Sequence, residues 1–354
     1  MKRKIIALVL TVVLCAGSLV GCGSGDNYFT ELDKTIKHIG NTTESTIKIK
    51  APKEAFVDAD AMPIDVSNGL DATLKVLTQS DDKENGSCDI DIMLNGEDEY
   101  ADLTTIVKYG KYLYVQTDSY LSFMNQMGMD PKGEMAAQFK QMGIDKAAKL
   151  DIKQTCKMLD IDYDEDTFNI EKYKADLGEY IGDMADVLEK YYGNLSAKEG
   201  SAYTVKIDKN NVSKAIDDTI NFIDKDLKEA YDLTKDLVED LGGKKAVKNY
   251  PKYKEFEENA KAEEKSLKES KKDAAKNFGD VVVKTTASSK NKMISLSGEN
   301  IDVDGYPISF SIDLKSRDDN VDIKGSIPED AMDITALIKQ LMSIGNSTNT
   351  GAIQ

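Results

Sequence analysis

Carboxylates aside, few residues in this chain are able to do chemistry. His38 is the only histidine among 354 residues, so a serine or cysteine nucleophile has a single imidazole to call on as its base. That imidazole falls in 29–39, where Leu32, Ile36 and Ile39 stand at helical spacing and predict a short amphipathic helix with His38 on its surface. A serine three residues ahead of a lysine occurs at Ser45 and Lys48 and again at Ser80 and Lys83. Neither pair has the companion motifs that give this spacing a catalytic meaning. Glycine-rich phosphate loops are absent, and one histidine with scattered thiols does not make a zinc site. Hydrolysis by carboxylates alone stays open on composition, because Asp and Glu are too numerous for the sequence to select a pair.

Calcium is the one metal the spacing suggests. Asp160, Asp162, Asp164 and Asp166 alternate, and Glu171 stands twelfth counting from Asp160, which would gather hard oxygens around one cation. Glu165 fills the sixth position, where a calcium loop needs glycine for its sharp turn. The same residues also read as the acidic start of a helix, favoured by the helix dipole. A second partial match at 300–305 has its glycine, Gly305, but carries Ser311 at the twelfth position and equally describes a hairpin turn. No cofactor is expected.

The most informative cysteine is Cys22. Lys2, Arg3 and Lys4 open the chain, an apolar run follows from Ile5 to Ala16, and Leu19-Val20-Gly21-Cys22 closes it. This is the layout of an export signal over residues 1–21, too short to span a membrane as a helix. The closing tetrad resembles a bacterial lipobox. The resemblance implies cleavage before Cys22, fatty acylation of its thiol, and residence on the outer face of the cell membrane. Each buried methylene contributes about 0.8 kcal/mol, so two or more chains anchor a protein effectively permanently. Residues 22–27, with Gly23, Ser24 and Gly25, form a flexible tether.

Cleavage removes three basic residues and no acidic one, moving the formal charge from −17 to −20. Such a surface repels phosphate backbones, which argues against nucleic acid as a partner; anionic lipid heads repel it too, so the anchor has to hold by hydrophobic burial. Beyond the leader and anchor only Cys88 and Cys156 remain. In an exported chain they either pair or stay as buried thiols.

The strand pattern begins with Ser45 to Lys50. Leu70, Ala72, Leu74 and Val76 then alternate with polar residues, and so do Cys88, Ile90, Ile92 and Leu94 after the turn signal Asn85-Gly86. Leu103, Thr105 and Val107 continue to the turn at 109–111, and Tyr112, Tyr114 and Gln116 oppose Leu113, Val115 and Thr117. Large side chains on both faces imply a strand either covered on both sides or lining a cavity. Five methionines, Met124, Met127, Met129, Met135 and Met142, fall within nineteen residues. They suit either a flexible apolar lid or ordinary core contacts of two short helices.

Residues 161–278 read as a mainly helical insertion. One stripe runs from Ile170 to Tyr191, a strand covers 203–207, and a second stripe from Ile216 to Leu241 predicts one helix stopped by Gly242-Gly243. A third helix begins near Pro251 with Tyr253, Phe256 and Ala260 inward. Its distal half is mostly Lys, Glu, Ser and Ala, which predicts a solvated projection serving either as spacer or as a prong for a surface protein partner. Strands return at 281–286, 293–297, 308–314 and 321–327, and Ile334, Leu337, Ile338 and Leu341 form a last helix. Segments 28–160 and 279–343 thus supply one antiparallel sheet, with helices on one face of an α+β body and a disordered tail at 344–354.

The lipobox, the successive hairpins from Leu70 to Thr117, the turn at Tyr109-Gly110-Lys111-Tyr112 and the closing strands into Ile327-Pro328 resemble the LolA/LppX-type lipoproteins. That resemblance implies a curved antiparallel half-barrel with helices in its concavity and a non-catalytic carrier of lipid or another apolar molecule. On this reading the ligand is held by Tyr112, Tyr114, Met124, Met127 and Met135. The alternative is a surface scaffold acting through the helical insertion.

Overall fold

A computed structural model describes residues 27–56, 66–81, 84–95, 101–130, 132–158, 170–303 and 305–335. In chain order its elements are α1 (Tyr28–Lys37), β1 (Thr42–Ala51), β2 (Leu70–Ser80), β3 (Gly86–Leu94), β4 (Ala101–Tyr109), β5 (Tyr112–Gln116), α2 (Asp118–Gln126), α3 (Glu134–Met142), β6 (Ala147–Asp151) and α4 (Ile152–Met158). Then come α5 (Ile170–Tyr192), β7 (Ser196–Glu199), β8 (Ala202–Ile207), α6 (Val212–Lys225), α7 (Leu227–Asn249), α8 (Tyr253–Ser270), α9 (Ala274–Phe278), β9 (Val282–Ser288), β10 (Met293–Val303), β11 (Tyr306–Arg317) and β12 (Met332–Asp333).

Period-two alternation puts one apolar face on each strand, and pairing aligns those faces. The strands form a single sheet in the order β12-β6-β5-β4-β3-β2-β1-β11-β10-β9-β8-β7, open at both ends and not closed into a barrel. Among the described strands every pairing is antiparallel except the short β12–β6 contact. β1 lies between β2 and β11, so the first and last segments of the chain are stitched together at the middle of the sheet. The register carries one apolar row through Val205, Thr285, Leu296, Ile312, Ile47, Leu74 and Ile92. A parallel row runs through Tyr203, Ala287, Ile294, Leu314, Ser45, Val76 and Ile90. The opposite face carries Lys48, Lys75, Asp89, Asp91 and Asp313, one of each successive pair pointing to water.

Helices gather on the apolar face over β8, β9 and β10. Tyr28, Phe29 and Leu32 of α1, at most 1 % exposed, pack with Ile181, Met184, Ala185 and Leu188 of α5 on Tyr203, Val205 and Ala287. A second cluster sets Val212, Ala215 and Ile216 of α6, Leu267 of α8 and Phe278 of α9 on Ile207, Val283 and Leu296. Tyr28 Oη lies 2.7 Å from Thr285 Oγ1, whose own proton goes to the Ser295 carbonyl at 3.0 Å. The tyrosine is therefore the donor, and burial pushes its phenol up from the ordinary value.

Asn85 earns its turn signal through its side chain. Its amide donates to Asp81 Oδ2 at 2.9 Å and its Oδ1 accepts from the Gly110 N–H at 2.9 Å, tying the β2–β3 and β4–β5 turns together. Gly40, between α1 and β1, passes so close to Arg317 that a Cβ would stand 2.2 Å from its carbonyl oxygen. Only glycine fits that crossing.

Three expectations are corrected. The single helix expected from Ile216 to Leu241 is two, broken at Asp226 (φ −124°, ψ 9°), whose carboxylate takes the Tyr191 hydroxyl at 2.5 Å. Gly243 (φ 69°, ψ −179°) then kinks α7. The strand expected at 321–327 is a 3-10 turn, Ile323–Ser326, because Asp322 Oδ1 accepts from the Gly325 N–H at 3.2 Å and bends the chain. The distal half of α8 does not project: Glu264, Leu267 and Ser270 are buried, while Phe256 in the proximal half is 36 % exposed. Lys261 bridges to Asp224 and Lys271 to Asp217, both at 2.6 Å on α6, and Lys268 and Lys261 neutralise Glu264. No helix among the described residues is long and apolar enough to cross a membrane.

Candidate ligand-binding groove

Between the roof helices α1 and α5 and the floor strands β10 and β11 lies a groove of about 1020 Å³. This is at the upper end of the range of about 300–1,000 Å³ usual for small-molecule sites. Ile294, Leu296, Ile312 and Leu314 form the floor, Ile36 and Ile39 one wall, and Leu177 and Ile181 the roof. These walls follow from the alternation of the strands and the three-and-four spacing of the helices, since each element turns its apolar side to the same space.

The roof is thinned by glycine. Gly178 and Gly182, one turn apart on α5, both line the groove, and a Cβ at either would meet no atom within 4 Å. Glycine inside a helix costs about 0.8–1.0 kcal/mol relative to alanine. Here the absent side chains leave groove volume that alanine would begin to fill.

Charges sit at the rim. Lys37 donates to Asp33 at 2.8 Å, and Lys292 pairs with Asp318 at 2.6 Å, holding that carboxyl below its usual range. Asp186 is pushed up, first by burial and then by the carboxylates of Glu189, Asp183 and Asp33. Beyond the groove, Ile47, Leu74, Val76, Ile90 and Ile92 continue the apolar face half-buried.

A smaller hollow of about 270 Å³ adjoins the groove and shares Gly40, Asn41 and Lys174 with it. Its floor is the end of the same sheet face, where the register sets Ser80, Gly86, Lys108 and Leu113 side by side. Lys174 Nζ donates to Ser80 Oγ at 2.9 Å, and Lys108 Nζ donates to the Glu84 carbonyl.

The residues singled out from sequence fall elsewhere. Tyr112 and Tyr114 pair with Tyr109 and Val107, which puts them on the opposite face of the sheet from the groove; Leu113 and Val115 share the groove's face. The Tyr112 ring has the ammonium groups of Lys111 and Lys149 at 4.9 and 5.2 Å. Met124 lies on α2, Met127 caps it, and Met135 lies on α3. None of these five side chains lines the groove. The groove residues were missed because Ile36, Leu177, Ile294 and Leu314 come from four separate segments. The glycine pair inside a strongly apolar helical stripe was the one local signal available.

Asp160, Asp162 and Asp164 lie outside the described residues, as does the side chain of Glu171. Cys22 and the leader lie outside them too. Among the described residues no three His, Cys, Asp or Glu side chains come together as a metal site. In the 300–305 segment Asp302 Oδ1 accepts from the Gly305 N–H at 2.9 Å, a hairpin-turn contact. His38 is exposed and donates through Nδ1 to the Lys34 carbonyl at 2.6 Å. Ser45 and Lys48 point to opposite faces of β1, three residues apart on a strand. Lys83 lies outside the described residues; the lysine beside Ser80 is Lys174. Cys88 and Cys156 are both free thiols, with burial pushing each up. Compared with protein-family models, curated proteins and solved structures, the chain finds no match.

Proposed function

We propose that this protein is a lipid-anchored, extracytoplasmic binding protein that holds a lipid or other apolar molecule in the groove beneath α1 and α5 and catalyses no reaction. The observation that carries the reading is the groove itself: about 1020 Å³ walled by aliphatic side chains from two helices and two strands, with glycines where the roof helix would otherwise fill it. In this reading the sheet serves as the trough of a half-barrel, with β10 and β11 as its floor. The acylated Cys22 and the short tether keep the groove close to the membrane surface from which a ligand is drawn. The test is native mass spectrometry of the purified protein followed by organic extraction. Co-purified lipid, or saturable uptake of an apolar fluorescent dye by the folded protein, supports the reading; neither lipid nor uptake would remove it.

The scaffold reading keeps one observation. Phe256, 36 % exposed, sits 5.5 Å from the Tyr231 ring in a cluster that also holds Tyr250 and Tyr253, an aromatic surface suited to a protein partner. Crosslinking on intact cells with and without Phe256→Ser tests it: a specific partner lost with the substitution supports it.

A further inference from the structure

From the hollow that opens off the groove, we infer that the occupant is an anionic amphiphile, its chain lying along β10 and β11 and its phosphate or carboxylate head between Lys108 and Lys174. This inference rests on the groove being the binding site. The chain carries 63 acidic against 46 basic residues, yet none of the described residues lining the hollow is acidic, while two are lysines. The charged groups among these lining residues are thus both cationic, in a chain that is acidic as a whole. An anion repelled from most of this surface is accepted here.

The geometry makes room for a head group. Ser80, Gly86 and Lys108 stand in one row on adjacent strands, so the backbones of Ser80 and Lys108 are about 10 Å apart at about 4.8 Å per strand. Gly86 between them has no side chain to occupy the space. Lys174 reaches the row through Ser80, and both lysines line the one hollow. Three carboxylates stand outside the lining: Asp81 takes both the backbone N–H and the side-chain amide of Asn85, Asp318 is paired with Lys292, and Glu84 and Asp81 act on Lys108, as Asp318 does on Lys174, through space.

Lys108 is also held below the ordinary lysine value, chiefly by burial. A partly dehydrated ammonium gains more from an incoming anion than one in bulk water. The hollow meets the groove at Gly40, Asn41 and Lys174, and from Lys174 the roof continues to Gly178 and Gly182 at four-residue steps on the same helix face. A head at the lysines therefore leads its chain along the thinned side of α5.

The experiment uses the whole mature chain with Cys22→Ser, which keeps it in solution, and measures displacement of a groove-bound apolar dye. Dodecyl phosphate, dodecanol and inorganic phosphate are the competitors, each below its aggregation threshold. Expected is binding of dodecyl phosphate about tenfold or more tighter than dodecanol, in keeping with charge-assisted hydrogen bonds to lysine. In the Lys108→Met/Lys174→Met variant the ratio of the two affinities should fall to about one, and a ratio unchanged from the unsubstituted chain would overturn the lysines as the head-group site. Equal affinities in the unsubstituted chain would overturn the head-group assignment and leave the groove reading intact. Dye uptake displaced by neither dodecyl compound would overturn both. Inorganic phosphate binding as tightly as dodecyl phosphate, measured directly by calorimetry, would show a free-phosphate site and overturn the amphiphile.

Discussion

Replacing Gly178 and Gly182 with alanine should stabilise the protein, and replacing either with phenylalanine should empty its groove. Both residues lie inside α5, and an added Cβ meets no atom within 4 Å at either position, so alanine introduces no clash. Alanine removes the conformational cost of glycine in a helix, about 0.5–1 kcal/mol per site, giving about 1–2 kcal/mol for the pair. The melting temperature should rise by about 2–4 °C for each kcal/mol. A phenyl ring built from the same Cβ occupies the space between α5 and the floor residues Ile294 and Leu314. Gly182→Phe should therefore reduce apolar dye uptake at least tenfold with little loss of stability. Thermal unfolding by circular dichroism and dye titration on the same samples read the two effects. Destabilisation by alanine would show that the space above the floor is not open. Wild-type dye uptake by the phenylalanine variant would show that the groove is not where apolar molecules go.

Thr285→Val should cost more than Tyr28→Phe in urea denaturation, about 1–3 against about 1 kcal/mol, because only valine strands the buried tyrosine proton without an acceptor; the double variant should recover part of the loss. Leu267→Ala should cost about 2–5 kcal/mol, as expected for a buried core leucine, and Phe256→Ala much less, which separates a docked from a projecting distal α8. Asp151 is held below its usual range first by the Gln154 N–H and then by Lys111 at 3.0 Å, so Asp151→Ala should destabilise by about 1 kcal/mol at pH 7. A depressed carboxyl stabilises above its unfolded value of about 3.9. The difference between wild type and variant should therefore shrink as pH falls through the lowered folded value.

Most of the long strands were legible because they carry their apolar residues on one face, and a two-residue period survives any tertiary arrangement; β6, within a stretch expected to be helical, and the short β7 and β12 were not. The order of the strands was not: β1 pairs with β11 across more than 250 residues of chain, and nothing in the local pattern of 42–51 names that partner. Val321, Ile323 and Ile327 alternate as a strand would, but Asp322 caps Gly325 and converts the stretch to a turn that buries Ile323 beside β3 and β4. Along α8, counting large apolar residues misjudged burial, since Glu264 is held by two lysines and alanine and serine pack as readily as they project. Large tyrosines and methionines drew notice at Tyr112, Tyr114 and Met124. The groove is built instead from ordinary isoleucines and leucines whose meaning appears only when four segments meet.

Binding of an apolar molecule in the groove is read out by a photoactivatable apolar chain, incubated with the folded protein, irradiated and mapped by peptide mass spectrometry. Adducts on Leu177, Ile181, Ile294, Ile312 and Leu314, suppressed by Gly182→Phe, are the expected result. Adducts confined to the opposite face of the sheet around Tyr112 and Tyr114, or none above those of the unfolded chain, would contradict it.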